Sequence, residues 1–120
     1  MAKATSLIVS SALEAGHILK SGPGIIRTLT VLNFGTDPAL IHLLDTATVP
    51  ANGTIAPKWS HPIAPAGSDG PGSETFSWLA DPFQFTTGIV AILSTNITTP
   101  FTLAKTSNKD FYSAQVADRK

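Results

Sequence analysis

The chain has 120 residues, of which 42% are hydrophobic and 13% charged; eight basic side chains balance eight acidic ones, and there is no cysteine. Such a length makes one domain with a modest core, the neutral balance lacks the basic footprint of a nucleic-acid binder, and the missing cysteine excludes disulfides, a thiol nucleophile and Cys-ligated zinc. The charged share is about half the usual quarter, so Ser, Thr and Asn must keep the surface wet, a composition suited to β-rich surfaces and to faces packed in an assembly.

From Met1 to Gly16 there is one lysine and only Leu7-Ile8-Val9 before two serines, short of the roughly 7–15 apolar residues of a signal-peptide core. Residues 1–11 are expected to form an N-terminal arm or a first strand, with a β-prone run from Thr5 to Ser10. Ala12 to Gly16 reads as a turn or loop, and His17 to Lys20 as a short strand. After the rigid turn Ser21-Gly22-Pro23-Gly24, Ile25 to Phe34 is the best early strand. Its alternation places Ile25, Leu29 and Val31 on one face and Ile26, Thr28, Thr30 and Leu32 on the other, so it should lie centrally.

Asn33 to Pro38 reads as a turn, since Asp37 precedes proline and Gly35 permits positive φ. Ala39 to Asp45 follows as a strand, with Leu40, His42 and Leu44 opposed to Ile41, Leu43 and Asp45. Between Ala47 and Gly72 five prolines and four glycines rule out helix and leave mostly loop, with a short edge strand at Trp59 to Ala64 interrupted by Pro62. Pro65 to Ser73 is expected to be an exposed loop at one end of the molecule.

Ser73 to Ala80 alternates Glu74, Phe76 and Trp78 against Thr75, Ser77 and Leu79. Beyond the Asp81-Pro82 turn, Phe83 to Thr95 reads as one strand that switches at Gly88 from alternating to continuously apolar, so its second half must be buried on both faces. Its apolar run, Ile89 to Leu93, is far shorter than the about 20 residues that cross a bilayer. Short strands at Thr102 to Ala104 and Phe111 to Val116 complete the set, and residues 117–120 are expected to be a polar, frayed tail. About eight short strands without a credible helix give an all-β, antiparallel β-sandwich of jelly-roll-like form over residues 12–116.

Candidate chemistry is sparse. His17, His42 and His61 have no neighbouring acidic cluster at metal-ligand spacing and read as surface or interface histidines. Asp37, Asp45, Asp69, Glu74, Asp81 and Asp110 mostly sit in turns, where the carboxylate caps backbone. Asp69 and Glu74 are the one pair worth weighing for calcium, and they lack any EF-hand or repeat pattern. Ser21-Gly22-Pro23-Gly24 lacks the Lys-Ser/Thr ending of a phosphate loop, and there is no Gly-x-Ser-x-Gly elbow. The sequons Asn52-Gly53-Thr54 and Asn96-Ile97-Thr98 reflect threonine richness. Trp59, Trp78, Phe83, Phe85 and Tyr112 fit core packing better than a sugar-stacking platform. No catalytic, metal or cofactor site is expected.

The order of segments resembles small structural proteins of tailed bacteriophages. The resemblance is carried by the strand after Ser21 to Gly24, the strand ending in Leu44-Asp45, the Pro/Gly-rich loop, and the Phe-x-Thr-Gly-Ile-Val-x-x-x-Ser run from Phe85 to Ser94. It spans about Thr5 to Tyr112, with loose motifs. It implies a non-enzymatic virion component, a capsid decoration protein that docks as a homo-oligomer, with a trimer as first expectation, on the major capsid protein or another virion protein. It involves neither nucleic acid nor membrane. The docking residues it suggests are Ala2, Lys3, Ala4, Thr5, Ser6, Leu7 and Ile8, which could add as a strand to a neighbour's sheet. Ser68, Asp69, Gly70, Pro71 and Gly72 would project as an exposed loop. The alternative reading is a tail, adhesion or carbohydrate-binding β-sandwich module.

Overall fold

The computed structural model describes residues 5–9, 16–54, 56–68, 70–78, 80–95, 102–103 and 110–118. Among them lie eleven strands: β1 (Thr5–Val9), β2 (Gly16–Lys20), β3 (Gly24–Asn33), β4 (Ala39–Leu44), β5 (Gly53–Thr54), β6 (Trp59–Ile63), β7 (Gly72–Ser77), β8 (Phe83–Phe85), β9 (Ile89–Ser94), β10 (Thr102–Leu103) and β11 (Asp110–Asp118). All pairings are antiparallel. Sheet A runs β1-β11-β3-β7, with β8 pairing the other half of β3; sheet B runs β2-β9-β4-β6; β5 and β10 form a separate pair. The fold is an antiparallel β-sandwich.

Between the sheets lies one principal core, including Ile26, Leu29 and Val31 of β3, Ile41 and Leu43 of β4, Ile89, Ala91 and Leu93 of β9, and Tyr112, Ala114 and Val116 of β11. On the far side of sheet B, Leu44, Val90 and Ile92 form a second cluster against Val49. The unbroken apolar run of β9 is thereby buried on both faces, as the sequence predicts, and every residue of β4 is buried as well.

The expected strand from Phe83 to Thr95 is in fact two. Phe83–Phe85 pairs with β3 in sheet A, and Ile89–Ser94 pairs with β2 and β4 in sheet B. The change of pattern at Gly88 thus marks a crossing between sheets, and Asp45 holds that crossing. Its Oδ2 accepts from the Thr86 amide (3.0 Å) and hydroxyl (2.9 Å), and its Oδ1 from the Thr87 (2.7 Å) and Gly88 (3.2 Å) amides. A Cβ on Gly88 would lie 2.5 Å from the Thr46 carbonyl oxygen and 2.9 Å from that of Lys20, so the close approach of three backbones requires glycine.

The two faces of β3 also differ from simple alternation. Ile26 joins Leu29 and Val31 in the core, because the β11 register shifts between Gln115 and Val116, leaving Arg27 as the extra residue of a bulge between Ile26 and Thr28. The bulge reverses the phase of the strand. At the same place the opposite neighbour changes from β7 to β8, and the Trp78 amide donates to the Arg27 carbonyl at 2.7 Å.

Residues 117 and 118, expected in the polar tail, and Thr5–Val9, expected in an arm or first strand, are both paired. Ala117 and Asp118 belong to β11, with Ala117 buried opposite Ile25 and Lys20 paired to Asp118 at 2.6 Å. Thr5–Val9 pairs along its whole length with β11, and Ile8 packs against the core. A backbone ladder with an apolar inner residue stabilises these residues as a strand of the sandwich, which favours the first-strand alternative over a free arm.

Candidate functional site

Among the described residues no three of His, Asp and Glu lie close enough together to hold a metal ion. His42 is buried and shares a 2.6 Å hydrogen bond between Nδ1 and the Ser60 hydroxyl across β4 and β6. Burial pushes its pKa from 6.5 down to about 4, so the ring is neutral at physiological pH. His61 faces its neighbour's rings, with its Nδ1 2.8 Å from the Pro62 carbonyl oxygen. Asp45 is subject to burial, which raises its pKa, but the hydrogen bonds from Thr86, Thr87 and Gly88 outweigh it and bring it from 3.8 to about 2. Asp110 is buried, and the Tyr112 hydroxyl donates to its Oδ2 at 3.4 Å while accepting from the Leu93 amide at 3.0 Å. These polar groups each serve the fold.

The signs of the two shifts give a pH prediction. His42 lowers stability as the pH falls from 6.5 to 4, because the unfolded chain takes up a proton that the folded one refuses; the loss is on the order of 3 kcal/mol. Asp45 stabilises the fold fully above 3.8, and that contribution disappears as the pH falls through 2. Urea midpoints between neutral and acid pH are expected to fall in these two windows. His42→Gln should flatten the first and Asp45→Asn the second. An unchanged slope between pH 6.5 and 4 in His42→Gln would contradict the assignment.

The aromatic residues close one side of the sandwich. Trp59 meets Phe76 (4.6 Å) and Trp78 (5.3 Å) edge-on; Trp78 meets Phe83 at 5.6 Å, and Phe83 meets Phe85 at 5.0 Å. Lys58 Nζ stands 5.5 Å from the centroids of both Phe83 and Phe85. Phe85 and Tyr112 are fully buried, while Trp59, Phe76, Trp78 and Phe83 are partly buried against the core. Phe85 and Tyr112 are thus core residues, while Trp59, Phe76, Trp78 and Phe83 pack on one another and keep part of their surface exposed.

The surface that stands out is the outer face of sheet A. Register partners share a face of a sheet, and the outward rows are Leu7, Gln115, Thr28 and Ser77; then Val9, Ser113, Thr30 and Thr75; then Phe111, Leu32 and Ser73; a fourth row holds Ala117, Ile25 and Gln84, of which Ala117 and Ile25 are buried. No row contains a charge. Glu74, Asp110 and Asp118 fall on the alternate rows, Asp118 at the end of β11 with its side chain exposed and paired to Lys20, and Arg27 stands outside the register at the bulge. Leu7 (65% exposed), Val9 (44%) and Phe34 (40%) leave apolar surface in water along this face and its end. Most of the face is Ser, Thr and Gln, and what it shares with the core of an interface is the lack of charge beside exposed apolar side chains.

Of the suggested docking residues, Leu7 is on this face and Ile8 faces the core, both in β1 with Thr5 and Ser6; Ala2, Lys3 and Ala4 lie outside the described residues. The expected exposed loop is a tight turn. Gly67 and Gly70 exchange backbone hydrogen bonds (2.8 and 3.2 Å), and Gly70 takes φ +123°. Ser68 and Gly70 are exposed and Pro71 is half-buried, while Asp69 is outside the described residues. Gly72 departs from the expectation: it is the buried first residue of β7, paired with Asn33. Alternation in the sequence already sets Thr28, Thr30 and Leu32 on one face of β3 and Thr75 and Ser77 on one face of β7; the bulge at Arg27 exchanges only Ile25 and Ile26, and the pairing of β1 and β11 with them is what the sequence does not show. Comparison with protein-family models, curated proteins and solved structures gives no match.

Proposed function

We propose that this chain is a non-enzymatic structural protein of a virion, a decoration protein that docks on the head of a tailed phage and acts by binding alone. The observation that carries the reading is the uncharged outer face of sheet A, four strands wide, with apolar side chains left in water. Docking through such a face bridges neighbouring shell subunits, so that separating them also costs the buried interface. The strand order supports the same reading. The pairs β4–β6, β3–β7, β2–β9 and β1–β11 are nested within one another, as when one long antiparallel ribbon is rolled into two sheets, and we read the sandwich as a jelly roll. That architecture occurs among viral capsid and lectin domains.

The test is co-sedimentation of the recombinant chain with phage particles whose genome encodes it, after the resident copies have been removed. Thr75 and Gln115 are both exposed, so Thr75→Lys with Gln115→Lys should keep the fold within about 0.5 kcal/mol. Two buried, unpaired charges cost several kcal/mol in a docked face, so binding should fall about 100-fold or more. Undiminished binding by the double variant would remove this face from the account.

A further inference from the structure

Among the described residues each sheet of the sandwich ends in an edge strand, and the four edges differ in how they are guarded. Unpaired backbone at an edge is a template for another chain, and soluble proteins block it with proline, lysine, bulges, inward-pointing charge or short, broken strands. On sheet B, β2 carries a register shift between Ile18 and Lys20, and β6 contains Pro62. On the far side of sheet A, β7 has the inward-facing Glu74 and gives way to the three residues of β8. The fourth edge, β1, reads Thr-Ser-Leu-Ile-Val and pairs with β11 over five positions without a shift. It has no proline, charge or bulge, and its Leu7 and Val9 are the most and second most exposed of the large apolar side chains.

We propose that β1 is a pairing edge for a second copy of this chain, the two β1 strands running antiparallel about a two-fold axis at Leu7. The strand suits itself as partner. Such a register sets Leu7 opposite Leu7 of the second copy and Val9 opposite its Thr5, so the exposed aliphatics of both copies gather in one cross-strand cluster. The two copies of sheet A become one continuous sheet, with the uncharged outer face carried across the junction. The chain has no net charge to oppose the approach of its own copy. A two-fold contact of this kind is closed and self-complementary, which differs from the trimer suggested by the phage resemblance. Five residue pairs make a small interface, so a concentration-dependent dimer is expected. The pairing is independent of docking on a particle.

Sedimentation velocity of the full chain across a concentration series should show a species of twice the 12.5 kDa chain mass. Leu7→Lys and Leu7→Glu each place like charges opposite one another and should weaken the dimer about tenfold or more, while an equimolar mixture of the two should restore it. Hydrogen exchange on the wild-type chain supplies a readout that needs no variant: the outward amides of Thr5–Val9 should slow as concentration rises. A wild type that stays monomeric, a trimer, a dimer indifferent to Leu7→Lys, or a dimer whose β1 amides exchange as in the monomer would each overturn the proposal.

Discussion

Phe85→Ala is expected to lower the stability of the fold by about 4 kcal/mol, within the range for deleting a buried aromatic ring. The ring is fully buried and belongs to the principal core. It lies at the last position of β8, just before the chain crosses to sheet B, and it touches Phe83 on one side with Lys58 Nζ above it. Its strand partner is Gly24, which has no side chain to move into the cavity, so relaxation is limited. Urea unfolding should show the loss directly. Phe85→Leu, which keeps most of the volume, should cost about 1.5 kcal/mol. A loss below about 1 kcal/mol in the alanine variant would mean that the aromatic wall can collapse onto the vacancy.

Gly72→Ala should cost about 3 kcal/mol, the upper part of the range for overpacking, although it adds a single methyl group. A Cβ there would fall on the Ala64 carbonyl, 2.6 Å from its carbon, and a carbonyl of the main chain cannot rotate aside as a side chain does. That carbonyl is fixed by a purpose of its own. The Asn33 side-chain amide donates to it at 3.2 Å and to the Asp37 carbonyl at 3.1 Å, while Asn33 Oδ1 accepts from the Gly35 amide at 2.9 Å. Asn33, opposite Gly72 in the ladder, thus ties the β3–β4 turn to the loop before β7, and the Ala66 amide adds a bond to the Gly35 carbonyl at 2.8 Å. Displacing Ala64 loosens the whole end of the sandwich. Gly22→Ala, at a glycine with open space around it, is the control and should stay within about 0.5 kcal/mol. Equal midpoints for the two variants would refute the close-approach argument.

Several strands were legible in the sequence because their signals are local. The unbroken apolar run from Ile89 to Leu93 can be buried only on both faces, and Pro62 allows β6 to be an edge strand only; both features are found. What the pattern could not show is set by contacts distant in sequence. The split of Phe83–Ser94 between two sheets depends on Asp45, 41 residues before the Thr86 amide it accepts from. The bulge at Arg27 exists only against β11, and alternation alone put Ile25 where Ile26 belongs. Gly72 looked like loop because it follows four other Pro and Gly positions within Pro65–Pro71, and its burial comes from Ala64 folding back over it. The rows of sheet A's outer face needed the long-range pairing of β1, β11, β3 and β7, which no local pattern shows, although the alternation of Thr28, Thr30 and Leu32 was legible.

The uncharged face, the rolled pairing order and the β1 edge are the observations behind our proposal that this protein works by being covered by its neighbours in a particle. Immunogold labelling of purified phage particles, with antibody against the recombinant chain, tests that claim most directly. Dense label over the heads is the result expected of a decoration protein, and particles that carry no label on head or tail would contradict it.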